Sequence, residues 1–323
     1  WDFDLPPAPG LVDIVEHGKR IPALAEIGKS GYLFILDRLT GKPVFGVEER
    51  PVPKGDVPGE WYSPTQPFPL KPPALERVSM RLEDLVTAAD TTPEHAKACR
   101  DLWDSVGGYY NQGPFTPFLL HAPGAPPRYS IQFPGATGGA SWGGVAVDPR
   151  TRYVFVQTHD APLTGWVEKK QPGGRYENVN LPYDRPNAGR GSFSAPLKDA
   201  GGRTIATLPC FRPPWSRLTA VNANTGDVAW QTTLGTNDAL PEGRRNVGGA
   251  GSAGPIVTAG GLIFIGAAQD ARFRAFDSRS GKELWAFRLQ RMANAVPITY
   301  QGRDGKQYVA VTASDTLVAF ALP

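Results

Sequence analysis

The sequence predicts an all-β chain of repeated four-stranded antiparallel sheets, a β-propeller. Three observations predict it: a turn motif recurs with fixed internal spacing, short apolar runs flank its copies, and glycine and proline are abundant. The copies run from Ile35 to Phe45, from Ala220 to Trp230 and from Ala275 to Trp285. In each, Asp37, Asn222 or Asp277 stands four residues before Gly41, Gly226 or Gly281. Phe45, Trp230 or Trp285 stands four residues after that glycine.

Chemistry explains the spacing. An Asp or Asn at a strand end bonds the turn backbone through its side chain. The glycine takes the left-handed conformation of a tight turn. The aromatic then falls on the next strand and packs between neighbouring sheets.

Around the third copy a whole blade is legible, with strands at Pro255–Thr258, Leu262–Gly266, Arg272–Phe276 and Leu284–Arg288. The following unit offers only Pro297–Tyr300, Tyr308–Thr312 and Leu317–Ala321. A closed ring would draw its fourth strand from elsewhere. With the segment Trp142–Thr158, the repeats supply about four blades, roughly half of an eight-bladed ring. Residues 1–323 are read as the C-terminal part of one propeller domain, with insertions near 51–130 and 160–215. Pro51 to Pro73 is proline-rich and reads as an extended loop, and 79–105 reads as helical. There Thr92-Pro93 matches a cap followed by Pro at the first helical position, and Ala96, Cys99, Leu102 and Trp103 make an apolar face. Residues 160–215, dense in Gly and Pro, read as a long loop over one face, where such insertions often wall a site.

Bulk composition excludes several classes. The chain has 323 residues, 41% hydrophobic and 20% charged, so disorder is not expected. Its net charge is +3 with no basic stripe, which argues against nucleic acid as a partner. No apolar run reaches the ~18 residues of a membrane span. Cys99 and Cys210 stand far apart, either free or paired, and show no metal-ligand spacing. His17, His95, His121 and His159 show none either. Trp1-Asp2-Phe3-Asp4 carries no initiator Met, signal peptide or anchor, so processing or a longer polypeptide is expected.

The Gly281-Lys282-Glu283-Leu284-Trp285 form of the repeat resembles the tryptophan-docking motif of quinoprotein dehydrogenases. Trp1-Asp2-Phe3-Asp4-Leu5-Pro6 and the strand Gly28 to Arg38 resemble the membrane-bound glucose, quinate and shikimate branch of that pyrroloquinoline-quinone (PQQ) dependent family. Pro64 to Phe68, Phe115-Thr116-Pro117, Trp142-Gly143-Gly144 with Asp148-Pro149, and Gly305 to Val309 agree with it. The resemblance covers nearly the whole chain and is weakest across 160–210.

The resemblance implies oxidation of an aldose, quinate, shikimate or related cyclic polyol. It also implies PQQ near the propeller axis, a divalent cation (Ca or Mg), and a membrane quinone as electron acceptor. The expected location is periplasmic, with any inner-membrane anchor and the N-terminal half of the propeller outside this chain. Asp2 matches the catalytic aspartate, a general base for the substrate hydroxyl. Lys29, 27 residues later, matches the cation beside the quinone oxygens, where it stabilises growing negative charge. Trp142 is expected either to line the cofactor site or to pack between blades. Gln157 stands where glucose-type members carry an Asn that meets PQQ. His159 lies two residues on, sharing its side of a strand, and is read as a surface histidine, with a substrate-site residue as the alternative.

Two departures weaken a glucose assignment. Ala313-Ser314-Asp315-Thr316 replaces a glycine-rich loop of the family, and Gln290 to Asn294 replaces a Gly-containing stretch. The alternative class is a non-catalytic propeller scaffold for protein–protein interaction, like the outer-membrane assembly lipoproteins. A scaffold has no need of the Asp2/Lys29 pair.

Overall fold

A computed structural model describes residues 1–126, 128–170, 182–185 and 192–321. The antiparallel sheets expected from the turn motif are present as four blades. Blade I holds Gly10–Glu16, Lys19–Ile27 and Leu33–Asp37. Its outer edge is a bridge from Leu36 to Pro43, and the Val44 N–H donates to the Ile35 carbonyl at 2.9 Å. Blade II is Val145–Asp148, Tyr153–His159, Ser216–Asn222 and Asp227–Thr233. Blade III is Ile256–Val257, Leu262–Ile265, Arg272–Asp277 and Glu283–Arg288. Blade IV has three strands, Ile298–Gln301, Gln307–Ala313 and Thr316–Ala321.

The turn motif works as its spacing requires. The side chains of Asp37, Asn222 and Asp277 accept from the N–H two residues on, at 2.8, 3.0 and 3.1 Å. Gly41, Gly226 and Gly281 adopt φ of 72°, 71° and 69°, the left-handed region that a side chain resists. Each glycine has a second duty that one copy alone does not reveal. A Cβ on Gly226 would lie 2.9 Å from Phe45 Cδ2, and one on Gly281 would lie 2.5 Å from Trp230 Cε3. So the aromatics of blades I and II lie against the turn glycine of the next blade. Trp230 also donates its indole N–H to the Ser278 carbonyl at 3.1 Å. Trp285 is left 38% exposed and rests edge-on against Phe320.

Between the blades lie the cores. Ile14, Ala25 and Ile35 of blade I meet Val154, Val156 and Val221 of blade II. Phe155 and Leu218 meet Ile263, Ile265 and Phe276 of blade III. Phe273 meets Val309 and Val311 of blade IV. The outer face of the last two blades keeps large apolar groups in water: Leu284 is 52% exposed, Ile298 58% and Leu317 69%.

The insertions are more ordered than their composition suggests. The first lies between blades I and II, the second between the second and third strands of blade II. In the first, the proline-rich stretch closes a hairpin, Val47–Pro51 pairing with Thr65–Pro69. The expected helix is confined to Pro93–Ser105, with Thr92 Oγ1 capping the His95 N–H at 3.2 Å. Upstream there is only a short 3-10 turn, Leu82–Asp84. Between the two, Asp90 holds the Thr87 N–H at 2.8 Å in a turn that stops the helix from extending back.

The second insertion was expected to be loop, and the structure corrects this. Leu163–Gly165 pairs with Ser130–Gln132, Val167–Lys169 runs parallel to Leu120–His121, and Ser194–Lys198 pairs with Thr204–Pro209. The parts at 171–181 and 186–191 lie outside the described residues. The helix packs on the Ser194–Lys198 strand, and Cys99 is disulfide-bonded to Cys210, 111 residues away. His95, Cys99 and Cys210 form a buried cluster of metal-ligand types, but both sulfurs are spent in that bond. His95 meets Thr91 Oγ1 at 3.0 Å and the Leu208 carbonyl oxygen at 3.3 Å.

Two stability outcomes follow from this packing. Gly281→Ala forces a methyl onto Trp230 and holds it at positive φ, so unfolding free energy should fall by about 1–3 kcal/mol. An unchanged denaturation midpoint would show that the ring does not rest on the glycine. Replacing Cys99 and Cys210 together by Ser should lower the stability of the insertions by about 2–5 kcal/mol, read by thermal unfolding with and without reductant. Equal curves would contradict a structural disulfide.

Candidate active site

Strand direction alone gathers the sequence-selected residues at one end of the blades. Asp2 precedes the first strand of blade I and Lys29 follows the second, which runs antiparallel to it. Trp142 precedes the first strand of blade II, and Gln157 lies near the end of the second. The docking turns, between third and fourth strands, are therefore at the opposite end.

Lys29 is the centre of the group. Its Nζ lies 3.0 Å from Asp2 Oδ1 and 2.7 Å from Asp4 Oδ1. Its side chain is 13% exposed, while those of Asp2 and Asp4 are 54% and 56% exposed. The Lys29 N–H also donates to the Asp4 carbonyl at 3.2 Å, which lays residues 2–5 along the turn. That turn is tight: a Cβ on Gly28 would lie 2.4 Å from Leu5 Cδ2. Edge-to-face aromatic contacts fix the same segment, with Trp1 and Phe3 against Phe115, Phe115 against Phe68, and Phe68 against Tyr32.

Burial by itself would lower the Lys29 pKa, but the hydrogen bonds to Asp4 and then Asp2 outweigh it and raise the ammonium above its usual value. The same bond from Lys29 holds the Asp4 carboxyl below the usual carboxylate range. Sequence reasoning singled out Asp2 and missed Asp4. The signal was the alternation at positions 2 and 4, which places both carboxylates on one side of an extended segment.

The other selected residues do not join the ion pairs. Gln157 is buried, and its side-chain amide donates to Ser216 Oγ at 3.3 Å. His159 is also buried, contrary to its expected surface position, with the Gly251 backbone against its ring. Its Nδ1 finds no hydrogen-bond partner among the described residues, and burial lowers its pKa. Trp142 is 76% exposed, so it does not pack between blades. Its neighbour Gly143 does: a Cβ there would lie 2.1 Å from the Gly254 nitrogen, bringing the entries of blades II and III into backbone contact.

Both insertions wall this end. A cleft of about 430 Å³ opens beside Trp1, lined by Glu60, Tyr62, Phe118, Gln132, Tyr183 and Arg185 among others. Tyr62 donates to Glu60. The volume suits a small ring compound.

The family model for the PQQ glucose/ethanol/alcohol dehydrogenase β-propeller domain matches residues 1–309. The quinate/shikimate dehydrogenase (quinone) of Acinetobacter baylyi is 37% identical across 100% of this chain and 41% of its own length. The glycerol dehydrogenase large subunit of Gluconobacter thailandicus is 34% identical across 100% of this chain and 46% of its own. The quinoprotein glucose dehydrogenase of Escherichia coli is 32% identical across 100% and 41%. The chain thus spans less than half the length of these relatives. Among solved structures, a quinohemoprotein alcohol dehydrogenase from Comamonas testosteroni superposes with a TM-score of 0.52 at 20% identity, over 97% of this chain and 35% of that one. That likeness bears on the fold.

Lys29 gives this site a defined pH window. Its raised pKa means that its share of stability is complete below about pH 10.4 and is lost as pH rises through the higher folded value. Asp4, with a depressed pKa, contributes above about pH 3.9 and loses its share as pH falls through the lower folded value. Asp4→Asn should therefore move the Lys29 titration downward, and by more than Asp2→Asn does, as read by NMR of the ε-ammonium. An equal or reversed order would show that Asp4 is not the stronger partner.

Proposed function

The chain belongs to the PQQ-dependent dehydrogenase β-propeller family, and from that premise we propose that it carries the proton-accepting and charge-stabilising side chains of an enzyme that oxidises a cyclic polyol. One observation carries the proposal: a nearly buried lysine held between two carboxylates at the end of the propeller where both insertions converge. The substrate class is an aldose, quinate, shikimate or a related cyclic polyol. The cleft beside Trp1 supplies apolar walls and hydrogen-bonding groups of the kind a hydroxylated ring needs.

PQQ suits the residues present. A fixed ammonium matches its oxygens, and the exposed Trp142 indole offers a flat apolar face. When bound, PQQ supplies the two-electron acceptor that takes the substrate hydride. Asp2 accepts the proton of the substrate hydroxyl, for which its exposed carboxylate is accessible. Lys29 stays where negative charge grows and needs no reorganisation, because Asp2 and Asp4 already orient it. Asp4 leaves Lys29 a counter-ion when Asp2 is protonated. Gln157 serves indirectly, through its contact with Ser216 on the adjacent strand of blade II.

A divalent cation, Ca or Mg, is not provided for here. Such ions take six or more oxygens, and the described residues gather no carboxylate cluster able to hold one. Its ligands would come from the remainder of the polypeptide, and no proton-transfer step is assigned to it.

The exposed apolar outer face of blades III and IV supports an N-terminal half of the propeller as partner. The disulfide supports an oxidising compartment such as the periplasm, where a membrane quinone would be the electron acceptor. No helix among the described residues is long and apolar enough to cross a membrane.

In the full-length polypeptide, Asp2→Asn should lower dye-linked polyol oxidation by about 10²–10⁴-fold, while PQQ still binds by absorbance titration. Near-normal turnover in that variant would remove Asp2 from the mechanism.

A further inference from the structure

Behind the Lys29 turn lies a carboxyl group that the reaction above does not use. Glu76 is 7% exposed, and neither of its carboxyl oxygens has a hydrogen-bond partner among the described residues. Unsatisfied buried groups are rare enough to call for an explanation. Two glycines make room for this one. A Cβ on Gly139 would lie 1.0 Å from Glu76 Oε2, and a Cβ on Gly31 would lie 2.4 Å from Glu76 Cδ. Gly31 belongs to the Lys29 turn, and Gly139 to the segment that leads to Trp142.

Backbone bonds tie those two segments together around the carboxyl. The Gly139 N–H faces Glu76 but donates to the Lys29 carbonyl at 3.2 Å. The Leu75 N–H donates to the Gly31 carbonyl at 3.0 Å, and the His159 N–H to the Gly139 carbonyl at 2.8 Å. Gly138, at φ +77°, lies so close to Lys29 that a Cβ there would be 2.5 Å from Lys29 Cβ. The Glu76 side chain thus fills the space between two loops, one of which presents the ammonium.

The surrounding charges leave no cation for Glu76. Asp160 accepts Arg217 at 2.7 and 3.0 Å and Arg77 at 3.4 Å, while Asp84 accepts Arg77 at 3.1 Å. Two guanidiniums are matched by two carboxylates. Lys29 is committed to Asp2 and Asp4. Tyr32, also beside Glu76, is neutral, with its pKa pushed up to about 12 by burial. Burial, and then repulsion from Asp160, drive the Glu76 pKa well above the usual range, against the pull of Arg217 and of the nearby Gly139 N–H.

We propose that Glu76 is a positioning residue for Lys29: as a wedge between Gly31 and Gly139, it locks the Lys29 turn against the 138–144 segment and so aims the ammonium head. The relevance to catalysis rests on the role given to Lys29 above, whereas the positioning itself does not.

The test is amine labelling of the full-length polypeptide without PQQ, using an acylating ester and mass-spectrometric readout at each lysine. Lys97, whose side chain is 74% exposed, is the internal control. Glu76→Ala should raise Lys29 labelling about fivefold relative to Lys97, because local opening exposes an amine that packing had protected. Glu76→Gln keeps the shape, so Lys29 labelling should stay within about twofold of the unmodified protein. Gly139→Ala, whose methyl takes the carboxyl's place, should act like Glu76→Ala and serves if the latter fails to fold. Unchanged Lys29 labelling in Glu76→Ala or Gly139→Ala overturns the proposal, as does a Gln variant as reactive as the Ala variant. Labelling needs no cofactor. Loss of the dehydrogenase reading would appear instead as absent PQQ binding and dye reduction in the unmodified protein, with the labelling pattern intact.

Discussion

The stacking of an aromatic ring on a turn glycine is the constraint on which the molecule depends. Phe45 on Gly226 and Trp230 on Gly281 fix how far apart consecutive blades stand and how they are rotated. A ring of that size buries on the order of 150–250 Å², yet it approaches the backbone only where no Cβ intervenes. With spacing set at one end, the loops at the other end have little freedom. Gly143 and Gly254 touch through their backbones there, and Gly138 lies on Lys29.

That rigidity matters for electrostatics. A lysine withdrawn from water pays a desolvation cost, and two aspartates offset it. Because Asp2 and Asp4 are more than half exposed, their attraction for Lys29 is partly screened. The arrangement orients the ammonium without burying a bare charge. Preorganised charge of this kind needs no rearrangement as a reaction proceeds.

Much of the blade architecture was legible because it is periodic. The Asp–Gly–aromatic spacing gives the turn, its strands and the packing aromatic within eleven residues, and the register confirms strands within a residue or two of those read from the sequence. Asp2 and Lys29 were legible from motif likeness, and the fold brings them together. What escaped was non-local. The parallel pairing of Leu120–His121 with Val167–Lys169 has no local signature, and Gly- and Pro-rich flanks hide such two- and three-residue strands. The Cys99–Cys210 bond spans two insertions that nothing in the spacing links. Glu76 looked like any loop glutamate, since its surroundings come from Gly31 and Gly139, distant in sequence. His159 was misjudged for the same reason: the backbones beside it, at Gly139 and Gly251, are distant in sequence.

The docking geometry also has a direction. Phe45 and Trp230 each address the glycine of the blade that follows, never their own. A blade is therefore a unit with a plug on one side and a socket on the other, a joint that adds to the apolar core between neighbours. Gene duplication of a single blade would insert a unit whose plug and socket already fit, so blade number can drift over evolution without redesign of the interior. Such a ring is selected at a single joint, the one where its last plug must find its first socket.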